Sequence, residues 1–296
     1  MITYKCKNCG GEMSINPVGD LYCPYCGSKG NFSDRELAGY REFRTHMLSY
    51  LEAVARSRAD ESLTEKIWGY AEKKEFRSQE GFPVTVNYLY EDKIDGVVNY
   101  MSRDSVIFIF DEGQKGLASG MLKNIGLITY PSADIKDLDR FIPSLKARID
   151  LDDGKLLLAF SKEENMYPVS VFGALEYEHS AWILSRLENL ACLMEYNKAV
   201  CNNFCLGSVY INPLTHEAAL YGAWWKADFN GYRNSDLYDI RKTVKQILGF
   251  HETDSKKPFL DFLASEPEED AYKDFAAWDE VIEKQLGGHH FKKFEI

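Results

Sequence analysis

Four cysteines in the first thirty residues form two matching steps, Cys6-Lys7-Asn8-Cys9 and Cys23-Pro24-Tyr25-Cys26. Each C-x-x-C step lets two thiols face one point, and Gly10 and Gly27 follow where the backbone must fold back. Thirteen residues separate the pairs, so both can close on one centre. Four thiolates so spaced are the ligand set of a closed tetrahedral zinc site. A disulfide pair or a redox C-x-x-C is the competing reading, and it accounts for a single step better than for two. Residues 1–30 are therefore expected to be a zinc ribbon, held by Cys6, Cys9, Cys23 and Cys26, in which metal replaces a hydrophobic core. The remaining chain must supply a core of its own.

The chain has 296 residues, 45% of them hydrophobic, enough for one large core or two modest ones beyond the ribbon. Its net charge of −11 opposes nucleic acid and anionic membranes. Nucleic-acid contact is expected only through the ribbon, whose Lys5, Lys7 and Lys29 make no dense basic patch and read as solvated surface. The other cysteines, Cys192, Cys201 and Cys205, lie far from the ribbon. Free thiols beside a thiolate zinc site point to a reducing cytosol, hence a cytoplasmic protein. Residues 1–20 are polar and do not read as a signal peptide. No run reaches the roughly 20 apolar residues of a membrane span.

The fold class expected is α+β, with strands first and helices after. Residues 31–80 read as a helical connector. Leu37, Tyr40, Phe43, Met47, Leu51 and Val54 recur at helical spacing, and a second helix is expected over Ser62–Arg77. Residues 81–296 then form two lobes. Val84–Tyr90, Gly96–Tyr100 and Ser105–Phe110 read as strands, and Arg148–Leu151 and Lys155–Phe160 as a hairpin turning at Asp152-Asp153-Gly154. His179–Asn197, Asp236–Leu248 and Asp270–Leu286 read as helices. Trp278 in the last is expected to anchor it on the lobe. Acidic clusters such as Glu266–Asp270 read as solvated helix starts, and His289-His290 as tail.

Residues 183–249 resemble the C-lobe of a protein kinase with its chemistry removed. A long helix leads through Cys201-Asn202-Asn203 to two short strands, Val209–Asn212 and Glu217–Leu220, and then to Tyr221-Gly222. In kinases that order is the helix before the catalytic loop, the loop, a hairpin and the metal-binding Asp-Phe-Gly. The resemblance implies that Asp236 is a buried acid anchoring the loop backbone. It also implies that Asn203 stands where the catalytic Asp should be, Cys205 where the loop Lys should be, Ser208 where a magnesium-binding Asn should be and Leu220 where the metal-binding Asp should be. Ile109 or Phe110 takes the place of the phosphate-pairing Lys. No G-x-G-x-x-G precedes that strand, and Leu117–Leu127 offers no acid. Only thirteen residues separate Gly222 from Asp236. The whole is similar to bacterial or phage-encoded kinase-like proteins with Tyr-Gly-x-Trp-Trp in place of the metal motif, some of which carry an N-terminal zinc ribbon.

The resemblance implies a pseudokinase: a binding, scaffold or regulatory protein that takes protein partners, binds nucleotide weakly at most and has no catalytic residue. A cleft lined by Phe108, Phe160 and Trp224 is expected to survive as a pocket. An unconventional phosphotransferase using Asp228 or Asp239, and a ribbon-led nucleic-acid adaptor, are the rival expectations. Cys201 and Cys205 are expected to be buried. Metal analysis of protein purified without chelator should find close to one zinc per chain, and Cys23→Ala should lose that zinc while the lobes still melt cooperatively. A folded ribbon free of metal would end the zinc assignment.

Overall fold

A computed structural model describes residues 6, 8, 13–15, 21–29, 65, 68–131, 136–213, 215–249 and 257–288. In the N-terminal module two short strands, β1 (Ser14–Ile15) and β2 (Leu21–Tyr22), pair antiparallel beside the cysteines. The expected helix over residues 34–59, Cys9 and His289-His290 lie outside the described residues.

The sheet lobe is built on β5 (Tyr90–Ile94), β6 (Val97–Met101), β7 (Ser105–Phe110), β8 (Ser144–Asp150) and β9 (Leu156–Ser161). These form one antiparallel sheet in the order β5-β6-β7-β9-β8. The alternation along its two central strands explains their apolar runs. Phe108, Phe110, Leu158 and Phe160 face the main core, and Ile107, Ile109, Leu157 and Ala159 face a second cluster on the opposite side. Strands buried on both faces have no polar alternation. Helix α1 (Lys115–Gly126) follows β7 and turns Ala118 and Met121 into the main core.

The second cluster exists because a hairpin covers the outer face. Strand β3 (Glu72–Arg77) pairs with β4 (Pro83–Tyr88), and Val86 and Tyr88 pack on Tyr100 and Ile107. This corrects the helix expected over Ser62–Arg77: Glu65 and Trp68 are helical, but Glu72–Arg77 is a strand inside the segment read as connector. Glu-Lys-Lys-Glu favours a helix in isolation, yet here the backbone finds its partners across β4, and of its side chains only Phe76 is partly buried. Strand β5 also went unread, being a polar edge with Asp92 and Lys93 in it.

The helical lobe contains β10 (Tyr167–Pro168), α2 (Tyr177–Tyr196), β11 (Val209–Asn212), β12 (Glu217–Leu220), α3 (Ser235–Ile247), α4 (Lys257–Ala264) and α5 (Ala271–Gln285). The last helix docks as expected through Trp278, which is fully buried against Phe259 and Phe262 and donates from Nε1 to Ser185 Oγ at 2.8 Å. The described residues form an α+β architecture with a sheet lobe and a helical lobe. Among the described residues no helix is long and apolar enough to cross a membrane.

Three charged groups are buried where α2, α3 and α5 meet: Glu188, Arg241 and Asp274, none more than 3% exposed. Arg241 Nη2 donates to Asp274 Oδ1 at 2.6 Å, which also accepts the Glu268 N–H at 2.8 Å. Neither Glu188 oxygen nor Asp274 Oδ2 has a hydrogen-bond partner among the described residues. Burial, then the Asp274 charge, hold Glu188 well above the ordinary carboxylate range, against the pull of Arg241.

The native state therefore keeps a proton that the unfolded chain releases above a pKa of about 4.3, and stability must fall as pH rises from there towards the native pKa. Asp236 adds to this with the same sign. Thermal melts should give a higher Tm near pH 5 than near pH 7.5, and Glu188→Gln, which keeps the shape and a donor, should shrink that difference. A Gln variant with the full pH dependence would show that the proton sits elsewhere.

Candidate functional site

The loop after α2 is shaped by one acid. Asp236, in the first turn of α3, is fully buried, and its oxygens accept the N–H groups of Cys201 at 2.6 Å and Asn202 at 2.8 Å. Asn202 takes the left-handed conformation, φ 53°, which Asn tolerates better than most residues and which helps aim two successive N–H groups at one carboxylate. Burial raises the Asp236 pKa to about 7, against the lowering effect of the two N–H donors. The anchoring role implied by the kinase resemblance is the geometry observed.

The next residues form a closed hydrogen-bond network. Asn203 Oδ1 accepts both Ser208 Oγ at 2.6 Å and the Ala223 N–H at 2.8 Å. Asn203 is 2% exposed and Ser208 and Leu220 are fully buried. A carboxamide cannot take a proton at neutral pH, and this one's acceptor is already occupied. Gly222 closes the network: a Cβ there would lie 1.8 Å from Ser208 Oγ and 2.8 Å from Asn203 Oδ1. No residue but glycine fits. Leu220 offers no oxygen to a hard cation.

The cleft between the lobes is closed from within. Trp225 packs edge-on against Phe108, at 6.0 Å between centroids, and Phe110, at 5.7 Å. Behind it Asn124 of α1 donates from Nδ2 to the carbonyls of Trp224 and Ala227 at 2.9 and 3.0 Å. In front, the β5–β6 turn folds down: Asp95 (φ 50°) and Gly96 (φ 85°) carry it, and Asp95 Oδ2 accepts Trp225 Nε1 at 3.0 Å and pairs with Lys226 Nζ at 2.9 Å. Burial pushes the Asp95 carboxyl up, but the Lys226 and Trp225 donors outweigh it and hold it below the usual range. Further along β5, the Asp92 carboxylate reaches the loop, 2.8 Å from where a Cβ on Gly207 would stand.

Phe108, Phe160 and Trp224 are all buried in the core, and Trp224 donates from Nε1 to Leu220 O at 2.9 Å. The expected cleft lining is thus corrected: Trp225, not Trp224, faces the cleft. Cys201 is buried as expected, with burial pushing its thiol up, but Cys205 is exposed, which corrects the expectation for it. Asp228 is tied to Arg233 at 2.7 Å, and Asp239 stands on α3 with burial holding its carboxyl up. Lys162 had no signal in the sequence. It lies just after β9, its pKa lowered to about 7 by burial, and donates to the carbonyls of Arg103, Glu163 and Glu164.

At the N-terminus the Sγ atoms of Cys6, Cys23 and Cys26 lie within 4.8 Å of one another, with Cys6 to Cys26 at 3.5 Å. Gly27, at φ 70°, makes the turn after the second step, donating its N–H to Cys23 O at 2.8 Å. Zn–S bonds of about 2.3 Å put tetrahedral sulfurs near 3.8 Å apart, so the cluster fits zinc. Three sulfurs converge, and Cys9 is the fourth that the sequence spacing assigns.

No protein-family model matches the chain, and no curated protein matches it. Among solved structures it is similar to WbdD. A 2.2 Å crystal structure of that protein is 13% identical with a TM-score of 0.47, covering 70% of this chain and 47% of that one. A second, described as the bifunctional kinase-methyltransferase WbdD, is 14% identical with a TM-score of 0.47, covering 70% of this chain and 48% of that one. This chain thus spans about half the length of the WbdD chains.

Removing the Asp236 carboxylate leaves the buried Cys201 N–H without an acceptor, at roughly 1–3 kcal/mol, and frees the part-buried Asn202 N–H as well. Asp236→Ala should lower Tm by several degrees, since domains of this size lose about 2–4 °C per kcal/mol. An Ala variant as stable as the parent in a calorimetric melt would remove the loop anchor from this account.

Proposed function

We propose that this chain is a catalytically inactive, kinase-like binding protein, a scaffold or regulator of protein partners, with a structural zinc ribbon as a second docking surface. The observation that carries the reading is the closed network Asn203–Ser208–Ala223, in which the residue at the catalytic-base position is spent on holding the loop. The aromatic wall formed by Phe108, Phe110 and Trp225 supports it, because phosphoryl transfer needs charge neutralisation by cations at that place. Tight nucleotide binding and membrane association are not part of this reading, and nucleic acid would be met only through the ribbon. The free thiols and the thiolate cluster support a reducing, cytoplasmic setting.

A second reading, an unconventional phosphotransferase, is favoured by one observation: Asp92 brings a carboxylate against Gly207 beside the loop. Incubation with labelled ATP and magnesium or manganese separates the two. The inactive reading expects no autophosphorylation, no transfer and no nucleotide-dependent rise in Tm. Transfer that persists in clean protein and vanishes with Asp92→Asn would establish the enzyme instead.

A further inference from the structure

We infer that a groove between the ribbon and the helical lobe is the docking site for an acidic, apolar-rich peptide segment of a protein partner. This rests on the binding-protein reading above and names the surface and the chemistry it takes. The groove has a volume of about 580 Å³. One wall is Pro24 and Tyr25, the two residues between Cys23 and Cys26, so a metal held by those thiols would also shape the wall. The opposite side is apolar, with Leu248, Leu263 and Pro267. Tyr25 and Tyr238 stand at its edges 37% and 48% exposed, amphipathic rings of the kind enriched at protein interfaces.

Charge selects the occupant. Lys242 and Lys245, nearly one turn apart on α3, are exposed along the groove, and neither makes an ion pair among the described residues. Arg241 also lines it. Its guanidinium is buried and spent on Phe262, Ser265 and Asp274, so the available charge is that of the two lysines. Two acids share the groove. Glu266 already accepts the Tyr238 hydroxyl at 2.5 Å, and Asp239 is half-buried, facing Lys242 and Lys226. The remaining demand is for carboxylates to meet the lysines, with apolar side chains to fill the floor. A nucleic acid would bring a long polyanion into the field of a chain of net charge −11. A short acidic peptide meets mainly the local lysines.

Fluorescence polarisation tests this with the zinc-loaded full chain and three labelled probes: a short Leu/Glu peptide, its Leu/Lys counterpart and an oligothymidine of equal length. The Leu/Glu peptide should bind, and bind more weakly as salt rises. The double reversal Lys242→Glu/Lys245→Glu should weaken it at least about tenfold, or 1.4 kcal/mol, and Tyr25→Ala should weaken it with zinc content unchanged. Absence of binding, equal binding of the Leu/Lys peptide, indifference to the double reversal or tighter binding of oligothymidine would each overturn the inference. So would self-association of the chain that Tyr25→Ala abolishes, since the groove would then be an interface between copies. The inactive reading fails separately: phosphate transfer by a chain that still binds the peptide would remove that reading and leave the groove, and no transfer with no peptide binding would remove the groove alone.

Discussion

The carboxylate of Asp236 has no contact with solvent and two backbone N–H groups in front of it, and much of the helical lobe is arranged around that fact. Burial penalises its charge and the two N–H donors stabilise it. To present both donors the chain must turn left-handed at Asn202, and that turn delivers Asn203 to Ser208 and to the backbone of Ala223. Gly222 has to be glycine for the contact to close. Trp224 and Trp225 follow from the same segment, one into the core and the other into the cleft. A single buried acid thus sets the path from α3 through the loop to the wall of the sheet lobe.

The sheet lobe answers with packing rather than chemistry. At the centre of its sheet, Phe108 and Phe110 present aromatic edges where a charged pocket would need cations, and Trp225 satisfies them. The Asp95–Lys226 pair spans the mouth with both partners part-exposed, so it adds little stability alone. It fixes where the β5–β6 turn sits, and Asn124 fixes the segment behind. The cleft is held shut by shape and by hydrogen bonds to backbone, with charge only at its rim.

Much of this was legible from residues alone. The two C-x-x-C steps announce the convergence of Cys6, Cys23 and Cys26, because ligand geometry is a local requirement. Helices α2 and α5 follow from helical spacing of their apolar residues, while strands Val209–Asn212 and Glu217–Leu220, buried at every residue, were legible through the order of elements in the kinase resemblance. Asp236 was found through the order of elements around it, and the absence of charge at Asn203, Ser208 and Leu220 needed no coordinates.

Tertiary structure decided the rest, because it depends on partners remote in sequence. Glu72–Arg77 carries helix-favouring charges and becomes a strand only because β4 offers it hydrogen bonds and the outer face of the sheet needs covering. Glu188 and Asp274 look like solvated acids on their own helices, and are buried together only because α2, α3 and α5 pack around Arg241. Trp224 and Trp225 are adjacent and chemically identical. Which one enters the core and which one closes the cleft is set by Leu220, Asp95 and Asn124, residues up to 130 positions away. Local pattern determines which elements form and which side chains they carry, and the packing of distant side chains determines which of them are buried and which face solvent.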